Sequence, residues 1–495
     1  MLKYPIIPSN PKTGDKIFAF VTIEKNSSGV YSYILHEPIL TEKLKKSLKE
    51  IKEYIEEKVD IDFAQLRKIE AIKYVEDVFE KALDYFKIKR GTDERNILHY
   101  FIVRDFVGLG NIDSILKDPN LEDISCDGIN IPLYVYHRDP RLGSLKTNIA
   151  FTDKDELNAF VERLSERCGK SISVSSPLLD GTLPDGSRVQ ATLGTDIARH
   201  GSNFTIRMFT ENPLTPIDII KSSTVDTRMM AFLWLAVEYG HSILISGGTA
   251  TGKTSLLNAI SLFIKPEMKI VSIEDTAELR LTHDHWVPEV ARVAISEEST
   301  RQVDMYELLR ESLRQRPDYI IVGEVRGKEA YVLFQQIAVG HPGLATIHAE
   351  NFSKLVDRLT TPPISLPANL IENLDVLIFL ERLKLKNRYT RKVNSVSEVI
   401  GYSRKYNKPY VNEIFEWEAK NDIFKTKNPS TILKKISDKT GMSDAEISND
   451  IIRRVKVLKW MENKNIRNYK DVSMIINMFY TRPEDLIKKI EGYGA

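Results

Sequence analysis

The chain has 495 residues, which is too long for a single hydrophobic core and predicts roughly two to four domains. It carries 70 lysines and arginines against 69 acidic residues, and the net charge of +1 gives no global electrostatic case for nucleic-acid binding. The two cysteines, Cys126 and Cys168, form no C-x-x-C pair, which argues against a disulfide framework or a cysteine-based zinc site.

The opening residues lack the apolar core of a secretory signal, and no apolar run approaches the ~20 residues of a membrane-spanning helix. We therefore expect a cytoplasmic protein that reaches a membrane only through a partner or a surface.

The pattern in residues 1–108 predicts a β-hairpin followed by a helical region with a charged surface. The hairpin strands are 16–23 and 30–36, joined by the turn at Asn26–Gly29, and the helices are 42–59, 63–88 and 93–106.

Residues 109–211 change to an α+β pattern, which predicts a second domain. The predicted strands are 132–137, 189–193 and 203–208, and the predicted helix is 153–168. Thr152 is the expected N-cap of this helix, and Gly169 is the expected stop. Residues 212–218 form the expected linker, because Pro213 and Pro216 resist helix and sheet alike.

Residues 219–495 alternate strand and helix in the manner of a parallel nucleotide-binding sheet, followed by a meander and helices. The strands are 242–246, 269–273, 319–322, 344–347 and 374–380. The helices are 305–316, 328–339, 430–437, 444–462 and 469–479.

The segment from Gly247 to Thr254, GGTATGKT, matches the G-x-x-x-x-G-K-[ST] pattern and lies between a predicted strand and a predicted helix. We call it the candidate phosphate loop, because a glycine-rich turn at a helix N-terminus presents backbone N–H groups to phosphates. Lys253 would reach the β- and γ-phosphates, and the Thr254 hydroxyl would hold Mg²⁺. The expected nucleotide-binding residues are Gly247, Gly248, Thr249, Ala250, Thr251, Gly252, Lys253, Thr254 and Ser255.

Two acidic clusters follow apolar strands at the sheet edge where the candidate phosphate loop also lies. The first is IEDTAE, residues 273–278, and the second is PDYIIVGE, residues 317–324. Taken alone, either cluster is explained as well by turn residues or a helix cap as by a catalytic role. Together with the loop they favour hydrolysis, with Glu278 positioning the attacking water and Glu324 binding or organising Mg²⁺, directly or through water.

A histidine motif, GHPGLATIHA at residues 340–349, ends a further apolar strand at His348. His348 is placed to contact a γ-phosphate, and the alternative is a histidine satisfied by backbone hydrogen bonds. A zinc site would need further ligands at suitable spacing, and none occur.

The order of these four motifs resembles that of the secretion-ATPase superfamily, the hexameric ATPases of type II and type IV secretion, type IV pili and the archaellum. In that family's terms, Glu274–Glu278 resembles the Asp box, Gly323–Arg326 the Walker B segment and His341–His348 the His box. The resemblance implies an α/β chain: a RecA-like P-loop ATPase domain with an α+β, PAS-like N-terminal domain and an extra N-terminal helical layer. The specific likeness covers residues 110–380.

The likeness extends to LPDGSR, ending at Arg188, and GSNFTIR, ending at Arg207. Both arginines become candidates for phosphate contacts, some of which cross a subunit boundary in this family. From the residues alone they would be surface salt-bridge partners. The chain departs from the family by lacking a Cys₄ insertion and by a longer gap after IEDTAE, which leaves Arg292 and Arg301 unassigned.

The resemblance implies a cytoplasmic homohexamer, peripheral to the membrane through partners, that uses ATP and Mg²⁺. Its expected partners are a polytopic membrane platform protein and pilin- or archaellin-like secretion machinery. The sequence does not decide whether the machine is a pilus, an archaellum or a secretion system. It also does not decide whether the work is assembly, retraction or rotation. Closure of the N-terminal domain across residues 212–216 would turn phosphate chemistry into movement.

Two other classes of protein compete with this interpretation. A RecA-type nucleic-acid translocase would need a basic, aromatic channel, for which Lys384–Lys392 is the compact basic run. A nucleotide-dependent adaptor or sensor would bind ATP without acting as a motor, and the paired Glu278 and Glu324 argue against it. We expect no nucleic-acid partner.

Overall fold

A computed structural model describes residues 2–25, 29–58, 68–88, 92–139, 141–194, 196–209, 212–292, 303–385, 388–406 and 408–492. The chain forms two compact units, Met1–Thr210 and Glu211–Ala495, and each is described by itself.

The first unit is built on a nine-stranded sheet in the order β1-β2-β3-β6-β5-β4-β9-β8-β7. Its strands are β1 Leu2–Ile7, β2 Ala19–Lys25, β3 Tyr31–His36, β4 Leu121–Cys126, β5 Pro132–His137, β6 Ser144–Ala150, β7 Leu178–Thr182, β8 Arg188–Thr192 and β9 Asn203–Arg207. The two strands of the predicted hairpin are present as β2 and β3, and residues 26–28 of its predicted turn lie outside the described residues. Strand β3 also pairs with β6 in the parallel direction, with Tyr33 opposite Thr147. The hairpin therefore shares one sheet and one hydrophobic core with the α+β region.

The first three helices of the first unit form a second hydrophobic core of their own. The helices of this core are α1 Glu42–Lys58, α2 Lys68–Tyr85 and α3 Thr92–Ile102. The short α4 Asp113–Leu116 and α5 Lys154–Arg167 belong instead to the hydrophobic core of the sheet. The predicted N-cap of α5 is wrong by one residue. Asp153 has an extended backbone, and its carboxylate accepts hydrogen bonds from the N–H groups of Asp155 and Glu156.

The second unit contains another nine-stranded sheet, in the order β12-β11-β13-β14-β10-β15-β16-β17-β18. Its strands are β10 Ile243–Gly247, β11 Ile270–Glu274, β12 Trp286–Val290, β13 Tyr319–Val325, β14 Gly343–Ile347, β15 Val376–Leu385, β16 Arg388–Ser403, β17 Lys408–Glu418 and β18 Ile423–Thr426. Strands β10 to β15 are parallel and β16 to β18 are antiparallel. Parallel strands covered on both faces have mainly apolar sequences, and every residue of β10 and β14 is buried.

Helices cover this second sheet. They are α6 Pro216–Lys221, α7 Thr227–Glu238, α8 Lys253–Ser261, α9 Met305–Ser312, α10 Glu329–Ala338, α11 Phe352–Thr360, α12 Thr431–Thr440, α13 Asp444–Asn463, α14 Tyr469–Thr481 and α15 Pro483–Gly492. The expectation that Pro216 resists a helix is wrong. Pro216 is the first residue of α6, where its missing N–H costs nothing, and Thr215 forms a capping box with Asp218.

The C-terminal helices pack directly on α7 and on the end of α8. The Trp234 indole donates to the Tyr480 hydroxyl at 2.7 Å, and that hydroxyl donates to the Phe263 carbonyl at 2.6 Å. Arg454 is 1% exposed, pairs with Glu238 and with Asp450, and lies over the Trp234 ring. The second unit is therefore one structural body from α6 to α15.

Arg454→Ala should lower the free energy of unfolding of the second unit by about 3 kcal/mol, because it leaves two carboxylates without their buried cation. All four tryptophans lie in this unit, so urea unfolding followed by their fluorescence reports on it. The control is Arg453→Ala, whose partner Glu484 is exposed, with an expected loss under about 1 kcal/mol. Equal losses in the two variants would contradict the prediction.

Candidate functional site

The candidate phosphate loop connects β10 to α8, as its sequence predicts. Gly252 precedes the helix with φ +92°, and Ala250 has φ +58°, so both lie in the left-handed region. Gly247 has no room for a side chain, because a Cβ there would lie 2.6 Å from the Leu380 carbonyl oxygen and 2.8 Å from the Thr251 hydroxyl. The loop is thus held tightly against β15 and opens at the N-terminus of α8, a position that favours anions.

Lys253 folds back onto the loop, where its ammonium donates to the Gly248 carbonyl at 3.0 Å. The Thr251 hydroxyl donates to the same carbonyl at 3.0 Å. Burial lowers the pKa of Lys253, while the charges of Glu324 and Glu278 oppose that shift. The structure therefore places two predicted site residues from separate segments, Glu278 and Glu324, within electrostatic range of Lys253.

Glu274 ends β11 and organises the turn that carries Glu278. It is 3% exposed, and its carboxylate accepts from the N–H groups of Glu278 at 2.9 Å and Leu279 at 3.0 Å. Burial raises the pKa of Glu274 to about 7, although the two N–H donors lower it in part. Glu278 itself is exposed. The buried carboxylate is thus structural, and the exposed one is available for chemistry.

Glu324 lies in an irregular part of β13, where the pairing with β14 shifts register between Val322 and Val325. The Gly323 carbonyl accepts from the Thr346 hydroxyl at 2.6 Å, and a Cβ on Gly323 would lie 3.0 Å from the Cγ of Glu274. This close packing sets Glu324 at the strand end as a half-buried side chain. Nearby, Arg326 pairs with Asp275, which ties the end of β13 to the turn after β11.

His348 follows β14, the parallel neighbour of β10. Its Nε2 lies 2.8 Å from the Thr249 hydroxyl of the candidate phosphate loop, and the imidazole is half-buried. The hydrogen-bond partner of His348 is therefore a side chain of the candidate phosphate loop. Thr254 and Ser255 occupy the first turn of α8 and are also half-buried.

Arg188 and Arg207 belong to the first unit, where they stand opposite each other on β8 and β9. Arg188 pairs with Asp180 at 3.0 Å, and Arg207 pairs with Asp123 at 3.2 Å. These ion pairs are what the residues alone favoured, and the phosphate role of both arginines stays a prediction. Of the two unassigned arginines, Arg292 bridges to Val303, and Arg301 lies outside the described residues.

Two cations near the loop were missed by the sequence analysis. The positive charge of Arg358 on α11 lowers the pKa of Lys253. The Arg391 Nε donates a hydrogen bond to the Ala250 carbonyl at 3.1 Å. Arg391 belongs to the basic run Lys384–Lys392, part of which lies outside the described residues. Within that run Lys392 is 2% exposed and pairs with Asp422 at 2.6 Å, so it has a structural role.

A family model described as "Type II/IV secretion system protein" matches residues 137–414, which is more than half of the chain. The chain belongs to this family of secretion and pilus ATPases. A second model, "PilB3-like, C-terminal", matches residues 420–494. The family resemblance and the α/β fold expected from the sequence are both confirmed.

Proteins similar to this chain occur in both archaea and bacteria. An uncharacterized protein of Methanocaldococcus jannaschii, MJ0900, is 41% identical over 400 residues, which cover 80% of this chain and 72% of the relative. The type IV secretion system protein PtlH of Bordetella pertussis is 30% identical over 298 residues, covering 53% of this chain and 86% of PtlH.

Solved structures of similar proteins include the VirB11 ATPase of the Brucella suis type IV secretion system, in complex with sulphate. It is 22% identical, with a TM-score of 0.30, and the match covers 59% of this chain and 92% of VirB11. The pilus retraction motor PilT with bound ADP is 16% identical, with a TM-score of 0.41, and the match covers 58% and 81% of the two chains.

The chemistry of the residues beside the candidate phosphate loop is compatible with Mg²⁺. Within the described ranges, no group of three or more His, Cys, Asp or Glu side chains is placed to hold a metal ion. Mg²⁺ is typically bound by one or two protein oxygens together with phosphate oxygens and water. The Thr254 hydroxyl and the Glu324 carboxylate would supply such oxygens if Mg²⁺ bound at the candidate phosphate loop. In the described part of the chain, no helix combines the length and apolar character needed to cross a bilayer.

The raised pKa of Glu274 predicts a pH-dependent cost to the stability of the second unit. A carboxyl whose pKa rises from 4.5 to about 7 on folding stabilises the fold below pH 4.5, and this contribution is lost as the pH rises through 7. At 1.36 kcal/mol per pKa unit the loss is about 3 kcal/mol. Glu274→Gln keeps an acceptor oxygen and does not ionise.

Urea unfolding of wild type and Glu274→Gln, without nucleotide or Mg²⁺, checks this prediction. The variant should gain stability relative to wild type between pH 5 and pH 8. Glu267→Gln, at an exposed carboxylate, is the matched control and should show no such trend. A difference between wild type and Glu274→Gln that does not change with pH would rule out the raised pKa.

Proposed function

We propose that the chain is an ATPase motor that couples ATP hydrolysis to a membrane-embedded machine of the type IV pilus, archaellum or type II/IV secretion kind. The observation that carries the proposal is that Lys253, at the start of α8 and beside the candidate phosphate loop, lies within electrostatic range of Glu278 and Glu324. An ammonium and backbone N–H groups suit phosphates, and a carboxylate at the end of β13 together with one on the turn after β11 suits Mg²⁺ and water.

In this proposal each carboxylate of the site has a separate task. Glu278 is exposed and orients the attacking water, because Glu274 fixes the backbone of its turn through two N–H groups. Glu324 and the Thr254 hydroxyl hold Mg²⁺, which supplies charge neutralisation for the phosphates when it is bound. His348 senses the γ-phosphate, and its contact with Thr249 joins it to the candidate phosphate loop.

The proposal includes a homohexamer, in which Arg188 and Arg207 of the first unit contact phosphates. Arg188 and Arg207 stand at directly opposed positions of adjacent strands, which supports it, because directly opposed residues lie on the same face of a sheet. Each arginine would then exchange its carboxylate partner for a phosphate. The units would close across residues 212–216, and the partners would be a polytopic membrane platform protein and pilin- or archaellin-like subunits at the cytoplasmic face of the membrane.

ATP turnover by the purified full-length protein tests the proposal. We expect hydrolysis that requires Mg²⁺ and an ATP-dependent particle of six copies in mass photometry. Absence of turnover in the presence of Mg²⁺ would favour a nucleotide-dependent adaptor.

The same assay separates the motor from a nucleic-acid translocase. Vesicles of anionic lipid should stimulate turnover, whereas stimulation by single-stranded DNA would favour the translocase. The burial of Lys392 weakens the case for an open basic channel in Lys384–Lys392.

A further inference from the structure

The hairpin of β15 and β16 extends past the end of β10 and runs alongside the candidate phosphate loop. The register of β10 and β15 ends at Gly247 and Leu380, after which residues 381–385 of β15 pair only with β16. Arg391 lies in this overhang, opposite Arg382. The hairpin thus brings a side chain from a distant part of the sequence to the loop.

Arg391 contacts the loop at two places. Its Nε donates to the Ala250 carbonyl at 3.1 Å, and its Cδ lies 3.3 Å from the position that a Cβ on Gly252 would take. Ala250 is the loop residue for which the left-handed conformation is unfavourable, since it carries a side chain. A donor on its carbonyl oxygen stabilises that conformation.

The strand that carries Arg391 is itself anchored. Lys392 points to the opposite face of β16, because successive side chains of a strand alternate. Its ammonium pairs with Asp422 and lies 5.7 Å from the ring centroids of Trp417 and Phe424. Arg391 therefore projects toward the loop from a fixed backbone.

We propose that Arg391 is a positioning residue of the nucleotide site. Its Nε–H holds the Ala250 carbonyl, and its side chain covers Gly252, so the loop keeps the backbone arrangement that receives phosphates. This inference rests on the proposed function, in which residues 247–254 bind the phosphates of ATP. The inference gives the hairpin of β15 and β16 a role in the nucleotide site.

Three variants separate the hydrogen bond from the charge. Arg391→Gln places an amide nitrogen at the same number of bonds from Cα as Nε, so it keeps the donor and removes the charge. Arg391→Lys keeps the charge and moves the donor, and Arg391→Ala removes both. Arg404→Ala, an exposed arginine beyond the other end of β16, is the matched control.

The binding of ADP and the steady-state kinetics of ATP hydrolysis give the first measurement. Arg391→Ala should weaken ADP binding and raise KM about tenfold, with kcat within about twofold, because the loop binds ground state and transition state alike. Arg391→Gln and Arg404→Ala should stay within about twofold of wild type. Unchanged binding in Arg391→Ala, or recovery by Arg391→Lys and not by Arg391→Gln, would overturn the proposal.

The second measurement is hydrogen exchange of the backbone amides of the candidate phosphate loop, made without nucleotide. Exchange at residues 248–252 should be faster in Arg391→Ala and unchanged in Arg391→Gln. If wild type binds no nucleotide, the proposed function is wrong, and this exchange still tests the contact of Arg391. If wild type binds ADP and Arg391→Ala matches it in both measurements, only the role of Arg391 is wrong.

Discussion

Glu278→Gln should lower kcat for ATP hydrolysis at least ~100-fold and leave ATP binding within about twofold. A carboxylate that orients and deprotonates water contributes on the order of 10²–10⁴ to rate, and the amide cannot accept the proton. Because Glu278 is exposed, the variant should unfold at the same temperature as wild type. Single-turnover hydrolysis and equilibrium binding of ATP measure the two effects separately.

Glu267→Gln is the control for Glu278→Gln, since it removes one exposed carboxylate from the loop before β11. It should turn over ATP at the wild-type rate. Full activity in Glu278→Gln would mean that another group orients the water, and the division of tasks between Glu274 and Glu278 would be wrong.

Lys253→Ala should weaken ATP binding about 100-fold. A charge-assisted hydrogen bond contributes up to about 3 kcal/mol, which corresponds to two powers of ten in the dissociation constant. The free energy of unfolding should change by less than about 1 kcal/mol, because the variant loses one hydrogen bond to Gly248 and also a cation whose pKa burial lowers. Titration with a fluorescent ATP analogue and urea unfolding provide the two measurements.

Lys420→Ala, at an exposed lysine of the second unit, controls for the loss of one positive charge. It should bind ATP as wild type does. Wild-type affinity in Lys253→Ala would place the phosphates elsewhere and would remove the main support for the proposed function.

The sequence predicts the central parallel strands well, because strands covered on both faces leave uninterrupted apolar runs. The missed strand β12 shows the limit of this signal. Trp286–Val290 lies at the edge of the sheet, contains Pro288 and has no fully buried residue, so its sequence lacks both the apolar run and the clear alternation of a half-buried strand. The cap of α5 was misplaced because Thr152 and Asp153 are both good N-cap residues, and only the backbone conformation decides between them.

For the candidate site, local motifs predict Lys253, Glu278 and Glu324 because each follows a strand at the same sheet edge. Arg391 has no local signal of this kind. Its contact with Ala250 depends on how far the hairpin of β15 and β16 extends past β10, which is a matter of register. Glu274 was visible as the first residue after a predicted apolar strand. Its burial and its two N–H donors depend on tertiary packing, which includes the close approach of Gly323 to its Cγ.

The packing of Tyr480 against Trp234 and the end of α8 has a consequence for any attempt to shorten the protein. A chain ended after β18 would leave the apolar faces of α7 and α8 in water, and the Phe263 carbonyl would lose its donor. We therefore expect the second unit to need the part of the chain matched by the PilB3-like model for its stability. Substitutions in α13 and α14 must be compatible with α7 and with the residues that follow α8, so the two matched regions are constrained to change together.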